Sequence, residues 1–183
     1  MRLEIRVAGF GGQGIIRAGL MLAMAACIYD ERKRNAVQTQ SYGPESRGGA
    51  CKSEVVISDE EIDFPKIIEP DVLIVMSQEA YDTYVDSLKE GGILLVDPAL
   101  VLKQKPTPHL QVFGVPATKI AEELGRTVVA NVVMLGAFAS LTDLIPGDAL
   151  KKSVLESVPK GTEKLNLEAF ERGYKYGKES SVD

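Results

Sequence analysis

The chain has 183 residues, 45% hydrophobic and 26% charged, with 26 acidic against 21 basic side chains and a formal net charge of −5 at pH 7. That length and composition suit one soluble domain, residues 1–183, able to bury a sizeable core without disulfide support. The acidic balance and the lack of a basic block exclude nucleic acid as an expected partner.

Residues 3–8, "LEIRVA", alternate polar and apolar side chains and predict a first strand. The glycine-rich "GFGGQG" then turns into residues 15–30, rich in Ala, Leu and Met, which predict a buried helix. Its apolar stretch, residues 15–29, carries Arg17 and falls short of the roughly 20 residues of a membrane span. No membrane partner is expected, and an N-terminus that goes straight into a strand pattern makes the expected location cytoplasmic. The basic cluster Arg32, Lys33 and Arg34, preceded by Asp30 and Glu31, reads as a solvated helix end.

Residues 35–40 predict a second strand and residues 51–58 a half-exposed third. A loop rather than a helix joins them, so they form an antiparallel element. Residues 71–76, "DVLIVM", are almost wholly apolar, as in a strand covered on both faces. Ser77 is placed to cap a helix over residues 78–90, which Gly91 and Gly92 end. Residues 92–97 and 110–116 predict two more strands with a Pro-rich link between them. A short helix over 117–125, an apolar helix over 128–142 and two amphipathic helices close the chain. The alternation defines an α/β fold: a three-layer α/β/α Rossmann-like domain with a mixed, mostly parallel sheet. There is no internal repeat, low-complexity tract or interdomain linker.

Little in the chain can carry redox or metal chemistry unaided. Cys27 and Cys51 are the two cysteines, without a C-x-x-C partner, and each reads as a buried, reduced thiol. His109 is the single histidine and follows a loop-like "KQKPTP". The expected metal and catalytic residues are therefore none.

Two segments invite a binding role. "GFGGQG" fits G-x-G-x-x-G through Gly9, Gly11 and Gly14, between a strand and a helix whose free N–H groups suit a phosphate. A dinucleotide site also needs a carboxylate at the end of the second strand. Here Gln40 and Ser41 stand at that end, while Asp30 and Glu31 precede the strand. Two roles remain open for the glycines: an anion site for some other phosphate, or close packing alone. The second segment, "SYGPESRGG", is polar and glycine-rich, with Arg47 as a forked donor for a partner or an anion. Its alternative is an internal ion pair of Arg47 with Glu45 or Glu54.

"AGFGGQGI" (8–15), "QTQSYGPESRGGACKSEVVIS" (38–58) and "VANVVMLGA" (129–137) together resemble the gamma subunit of 2-oxoacid:ferredoxin oxidoreductases. The resemblance runs from Leu3 to Leu144, and "QTQSYGPESRGG" with "ISDEEIDFP" is most similar to the 2-oxoglutarate branch, 2-oxoglutarate synthase. It implies a complex that converts a 2-oxoacid and coenzyme A to acyl-CoA, carbon dioxide and reduced ferredoxin. The implied partners are alpha, beta and, where present, delta subunits, with ferredoxin as electron acceptor. Thiamine diphosphate, magnesium and iron–sulfur clusters would sit on those partners; this chain alone would bind none. Coenzyme A would be a co-substrate at a shared site. The resemblance brings Gly9, Gly11, Gly12, Gln13 and Gly14 near that site, with Ser41, Arg47, Gly48 and Gly49 from the second segment. Asn131, in an apolar helix, would either contact the ligand or close a helix–loop hydrogen bond. The competing classes are a stand-alone NAD(P)- or flavin-binding oxidoreductase and a non-catalytic Rossmann-like interaction module.

Overall fold

A computed structural model describes residues 1–42 and 50–180. Strand β1 (Arg2–Phe10) leads through the glycine turn into helix α1 (Ile15–Met24), which widens into a π-helical turn over Ala25–Tyr29. Strands β2 (Asn35–Tyr42) and β3 (Ala50–Ser58) follow, then β4 (Val72–Val75), α2 (Gln78–Tyr84), β5 (Ile93–Val96) and β6 (Gln111–Gly114). Helices α3 (Ala117–Glu123), α4 (Ala130–Thr142), α5 (Gly147–Ser157) and α6 (Glu163–Ser180) complete the described chain. None of the helices is long and apolar enough to cross a membrane.

The six-stranded sheet has the order β2-β3-β1-β4-β5-β6. β1, β4, β5 and β6 pair in parallel, and β3 runs antiparallel to both β1 and β2. The expected mixed, mostly parallel sheet is thus present, with the antiparallel strand inserted beside β1. From β1 the chain winds one way to β2 and β3, then crosses to β4 on the other side. The carboxyl end of β1 is therefore the point where winding reverses, the place where open α/β sheets hold ligands.

Helices cover both faces unequally. One face, with Ile5, Val7, Val55, Ile57 and Ile74, packs against α1 and the helices after β6. The other, with Leu73, Val75, Leu94 and Val96, is covered by Ala80 and Tyr81 of α2. Helix α4 is buried continuously from Ala130 to Ala139, which accounts for its lack of a polar stripe. It meets α6 at backbone contact: a methyl on Gly173 would stand 2.0 Å from the Val133 carbonyl oxygen.

Several boundaries differ from the sequence expectation. β1 extends to Phe10 because Gly9 and Phe10 still pair with Cys51 and Ala50. β2 continues through Ser41 and Tyr42, opposite Lys52 and Cys51. Ser77 caps α2 as expected, its Oγ accepting the Ala80 N–H at 3.1 Å, but the helix ends at Tyr84 and tightens into a 3₁₀ turn. The cluster near residue 32 is not a solvated helix end throughout. Asp30 and Arg34 are buried, and Arg34 Nη2 donates to Asp30 at 3.1 Å and to the Leu144 carbonyl at 3.0 Å.

Candidate ligand site at the glycine turn

The glycine turn is held from below by one side chain. Gln13 Oε1 accepts the Phe10 N–H at 2.7 Å, and Gln13 Nε2 donates to the Met76 carbonyl at 2.7 Å, tying the turn to the end of β4. Gln13 is thus engaged on both sides of its amide rather than offered outward. Gly9 is a packing position, where a methyl would lie 2.3 Å from Gln13 Oε1 and 2.9 Å from Ile15 Cδ1. Gly12, at φ 102, faces open space with no atom within 4 Å of an added methyl. Gly14, at φ 75, precedes α1 in the left-handed region, which favours glycine. Helix α1 starts after Gly14, which has no side chain to cap it, and has no acidic residue in its first turn, so no described side chain answers its leading N–H groups.

Asn131 closes the site from α4. Its Nδ2 donates to the Gly14 carbonyl at 3.2 Å, and its Oδ1 accepts the Val132 N–H at 2.9 Å. The helix–loop hydrogen bond is therefore formed, while Asn131 also lines the cavity beside the turn. That cavity holds about 540 Å³, within the range of small-molecule sites. Gly11, Gly12 and Gly14 edge it, and Ile15, Met21, Val132 and Leu165 give it an apolar wall. A smaller cavity of about 270 Å³ lies across Gly12, bounded by Met76 and Leu100, which follow β4 and β5, and by Thr118 of α3.

The second segment meets this site through the register. Tyr42 pairs with Cys51, and Cys51 with Gly9, so residues 42 and 50 leave and re-enter the sheet beside the glycine turn. Tyr42 and Cys51 both line the larger cavity, and burial pushes the Cys51 thiol up, leaving it a neutral, apolar wall. Ser41 does not join them. It alternates with Tyr42 and lies on the opposite face of the sheet, beside Lys52. Arg47, Gly48 and Gly49 lie outside the described residues.

The inserted strand also explains why, among the described residues, no carboxylate stands at the end of the neighbouring strand to take a ribose. Cys51, not the end of a parallel strand, neighbours Gly9, while Asn35 pairs with Ser58 and Ser58 with Arg2 at the far end. Asp30 precedes that far end, on the order of 20 Å from the turn at about 3.3 Å per strand residue.

Two arginines complete the cavity wall and were not singled out from sequence as site residues: Arg17, in the first turn of α1, and Arg126, before α4. Arg17 had a visible signal, as the single charge in the apolar run 15–29. Arg126 had none beyond following the stop at Gly125. Among the described residues, no group of three or more His, Cys, Asp or Glu side chains could hold a metal ion.

A glycine turn, an uncapped helix and a cavity at the reversal point of an open α/β sheet define a Rossmann-like binding fold. Residues 4–176 match the family described as pyruvate ferredoxin/flavodoxin oxidoreductase. The chain belongs to that family. It is 57% identical over 181 residues to 2-oxoglutarate synthase subunit KorC of Methanocaldococcus jannaschii, covering 98% of this chain and 96% of the relative. Its fold is similar to the keto/oxoacid ferredoxin oxidoreductase gamma subunit of Geobacter sulfurreducens, with a TM-score of 0.86, 46% identity and 97% of each chain covered. It is also similar to 31% of a chain of 2-oxoglutarate:ferredoxin oxidoreductase from Magnetococcus marinus, solved with 2-oxoglutarate, coenzyme A and succinyl-CoA bound. That match covers 97% of this chain at a TM-score of 0.87 and 27% identity.

Proposed function

We propose that this chain is the gamma subunit of a 2-oxoacid:ferredoxin oxidoreductase, acting on 2-oxoglutarate, and that it forms one wall of the coenzyme A site. The observation that carries the proposal is the 57% identity to a 2-oxoglutarate synthase subunit over nearly the whole of both chains. The complex converts 2-oxoglutarate and coenzyme A to succinyl-CoA and carbon dioxide, and passes two electrons to ferredoxin. Thiamine diphosphate, magnesium and iron–sulfur clusters belong to the alpha, beta and, where present, delta subunits. Two cysteines on separate elements, Cys27 and Cys51, do not make the four-cysteine set that a cluster requires. The chain works as a single gamma-type domain, in the cytoplasm, and is inactive alone.

In this reading the chain binds and orients rather than reacts. Gly11, Gly12 and the first N–H groups of α1 receive a phosphate, Gln13 fixes the turn from below, and the apolar wall takes the uncharged part of coenzyme A. Segment 43–49, with Arg47, Gly48 and Gly49, adds the wall shared with a partner subunit.

Affinity purification of the native chain, followed by ferredoxin-reduction assays over several 2-oxoacids, tests this. The expected result is copurification of the alpha and beta subunits and reduction that requires both coenzyme A and 2-oxoglutarate. The isolated chain is expected to show no stoichiometric NADH binding by calorimetry. A chain that purifies without partners and binds NADH at micromolar concentration would instead be a stand-alone oxidoreductase.

A further inference from the structure

The described chain contains seven arginines whose surroundings can be compared. Five are engaged by acceptors. Arg2, Arg6, Arg32, Arg34 and Arg172 each pair with a carboxylate: Glu4, Glu54, Asp30, Asp30 and Glu123 respectively. Arg17 and Arg126 have no side-chain partner among the described residues, and these two line the same cavity beside the glycine turn. Neither sits there by a general excess of positive charge, since the chain is acidic overall. Among the described residues, no acidic side chain lines that cavity. A described wall with two guanidinium groups that have no described partner, a helix start with no side-chain cap and no described carboxylate is complementary to a ligand with more than one anionic group.

We infer that Arg17 and Arg126 are specificity-determining residues that hold the phosphates of coenzyme A and select it over phosphate-free thiols. This rests on the proposed coenzyme A site. The 3′-phosphate and the pyrophosphate of coenzyme A carry several negative charges on one end of a long molecule. The reactive thiol lies at the other end, on an uncharged arm. Two planar forks, one on α1 and one ahead of α4, grip the charged end, while the Ile15 and Val132 wall accommodates apolar groups. The arginines touch no reacting atom, so they govern binding and not the chemical step.

The test uses the assembled oxidoreductase, with coenzyme A and pantetheine as alternative thiols. Arg17→Gln and Arg126→Gln are each expected to raise KM for coenzyme A roughly ten- to hundredfold, the loss of one charge-assisted contact. Both should leave kcat at saturation and KM for 2-oxoglutarate unchanged, and leave KM for pantetheine unaltered. Selectivity for coenzyme A over pantetheine then falls by the same factor. Arg172→Gln, whose guanidinium already pairs with Glu123, should change none of these values. Gly12→Val, which strains the turn at φ 102 and puts a side chain in the open space beside it, separates the two levels of the proposal. If Gly12→Val raises KM for coenzyme A while both arginine variants keep wild-type selectivity, the coenzyme A site stands and the role of the arginines is overturned. If none of the three variants alters KM for coenzyme A, the site itself is elsewhere and both proposals fall. A drop in kcat with both thiols alike would show that the arginines act through assembly, which also overturns the inference.

Discussion

The amino and carboxyl ends of β1 handle charge in opposite ways. Near the amino end, the buried Asp30 receives Arg32 and Arg34, Asp59 takes the terminal ammonium at 2.8 Å, and Arg2 lies against Glu4. Farther along the strand, Arg6 is buried against Glu54, and it also donates to Ser87 and the Ile67 carbonyl. At the carboxyl end the N–H groups of α1 are uncapped, and Arg17 and Arg126 have no described side-chain partner. Charges neutralised inside the molecule tie elements together, whereas charges left open at a cavity are available to something else. Substitutions at the first set should therefore alter folding and spare ligand affinity, and those at the second should do the reverse.

The largest effect is expected at Asp30. Arg34 is buried, and its Nε and Nη1 have no partner among the described residues, so Asp30 is the anion that keeps this cation inside. Asp30→Asn leaves a buried charge uncompensated and should cost about 3–5 kcal/mol. Urea unfolding of the purified chain measures this, and affinity for coenzyme A in assembled enzyme that still folds should be unchanged. The effect depends on pH. Burial pushes the Asp30 carboxyl up, but the Arg32 side-chain and backbone donors, with Arg34, outweigh it and hold the group below the ordinary carboxylate range. A depressed folded-state value means the stabilisation is complete above the unfolded value, near pH 4, and is lost as pH falls through the folded one. The gap between wild type and Asp30→Asn should thus be constant from pH 7 down to about 5, then close on further acidification.

Much of the frame was legible in the sequence because local signals and burial agreed there. Residues 71–76 read as a doubly covered strand, of which Val72–Val75 form one, and Ser77 read as a cap and is one. The antiparallel pair of the second and third strands was visible from the loop between them. Its insertion between β2 and β1 was not, since no local pattern encodes which neighbour a strand chooses. That register decided the site. It carries Ser41 to the opposite face, brings Tyr42 and Cys51 to the cavity, and keeps Asp30 at the far end of the sheet. The glycine pattern located the turn without dividing its labour. Gly9 packs against Gln13, and Gly12 faces open space, a distinction made by side chains distant in sequence. Arg126 could not be found at all, because its importance lies in having no described partner.

A middle effect is expected at Gln13, which belongs to both halves of the comparison. It stabilises the fold by satisfying the Phe10 N–H and the Met76 carbonyl, and in doing so sets the shape of the ligand turn. Gln13→Ala strands both backbone groups and should cost about 1–3 kcal/mol. Unlike Asp30→Asn, it should also raise KM for coenzyme A, because the turn loses its support from β4. A loss of stability with unchanged KM would mean that the turn holds its shape without Gln13.

The smallest effect is expected where the rim arginines meet folding. Arg17 and Arg126 are exposed, and no described carboxylate loses its partner when either is replaced. Arg17→Gln and Arg126→Gln should therefore shift the unfolding free energy of the purified chain by no more than about 0.5 kcal/mol in either direction. Salt sharpens the contrast. Screening of an open cation weakens its hold on a distant or incoming anion, so KM for coenzyme A in the wild-type enzyme should rise with ionic strength. The double variant should show a flatter dependence, since two of the charges that feel the salt are gone. The buried Asp30–Arg34 pair is shielded from solvent, and the stability it confers should change little over the same salt range. If the rim variants instead unfold as readily as Asp30→Asn, Arg17 and Arg126 are tied into the fold, and the division between the two ends of β1 fails.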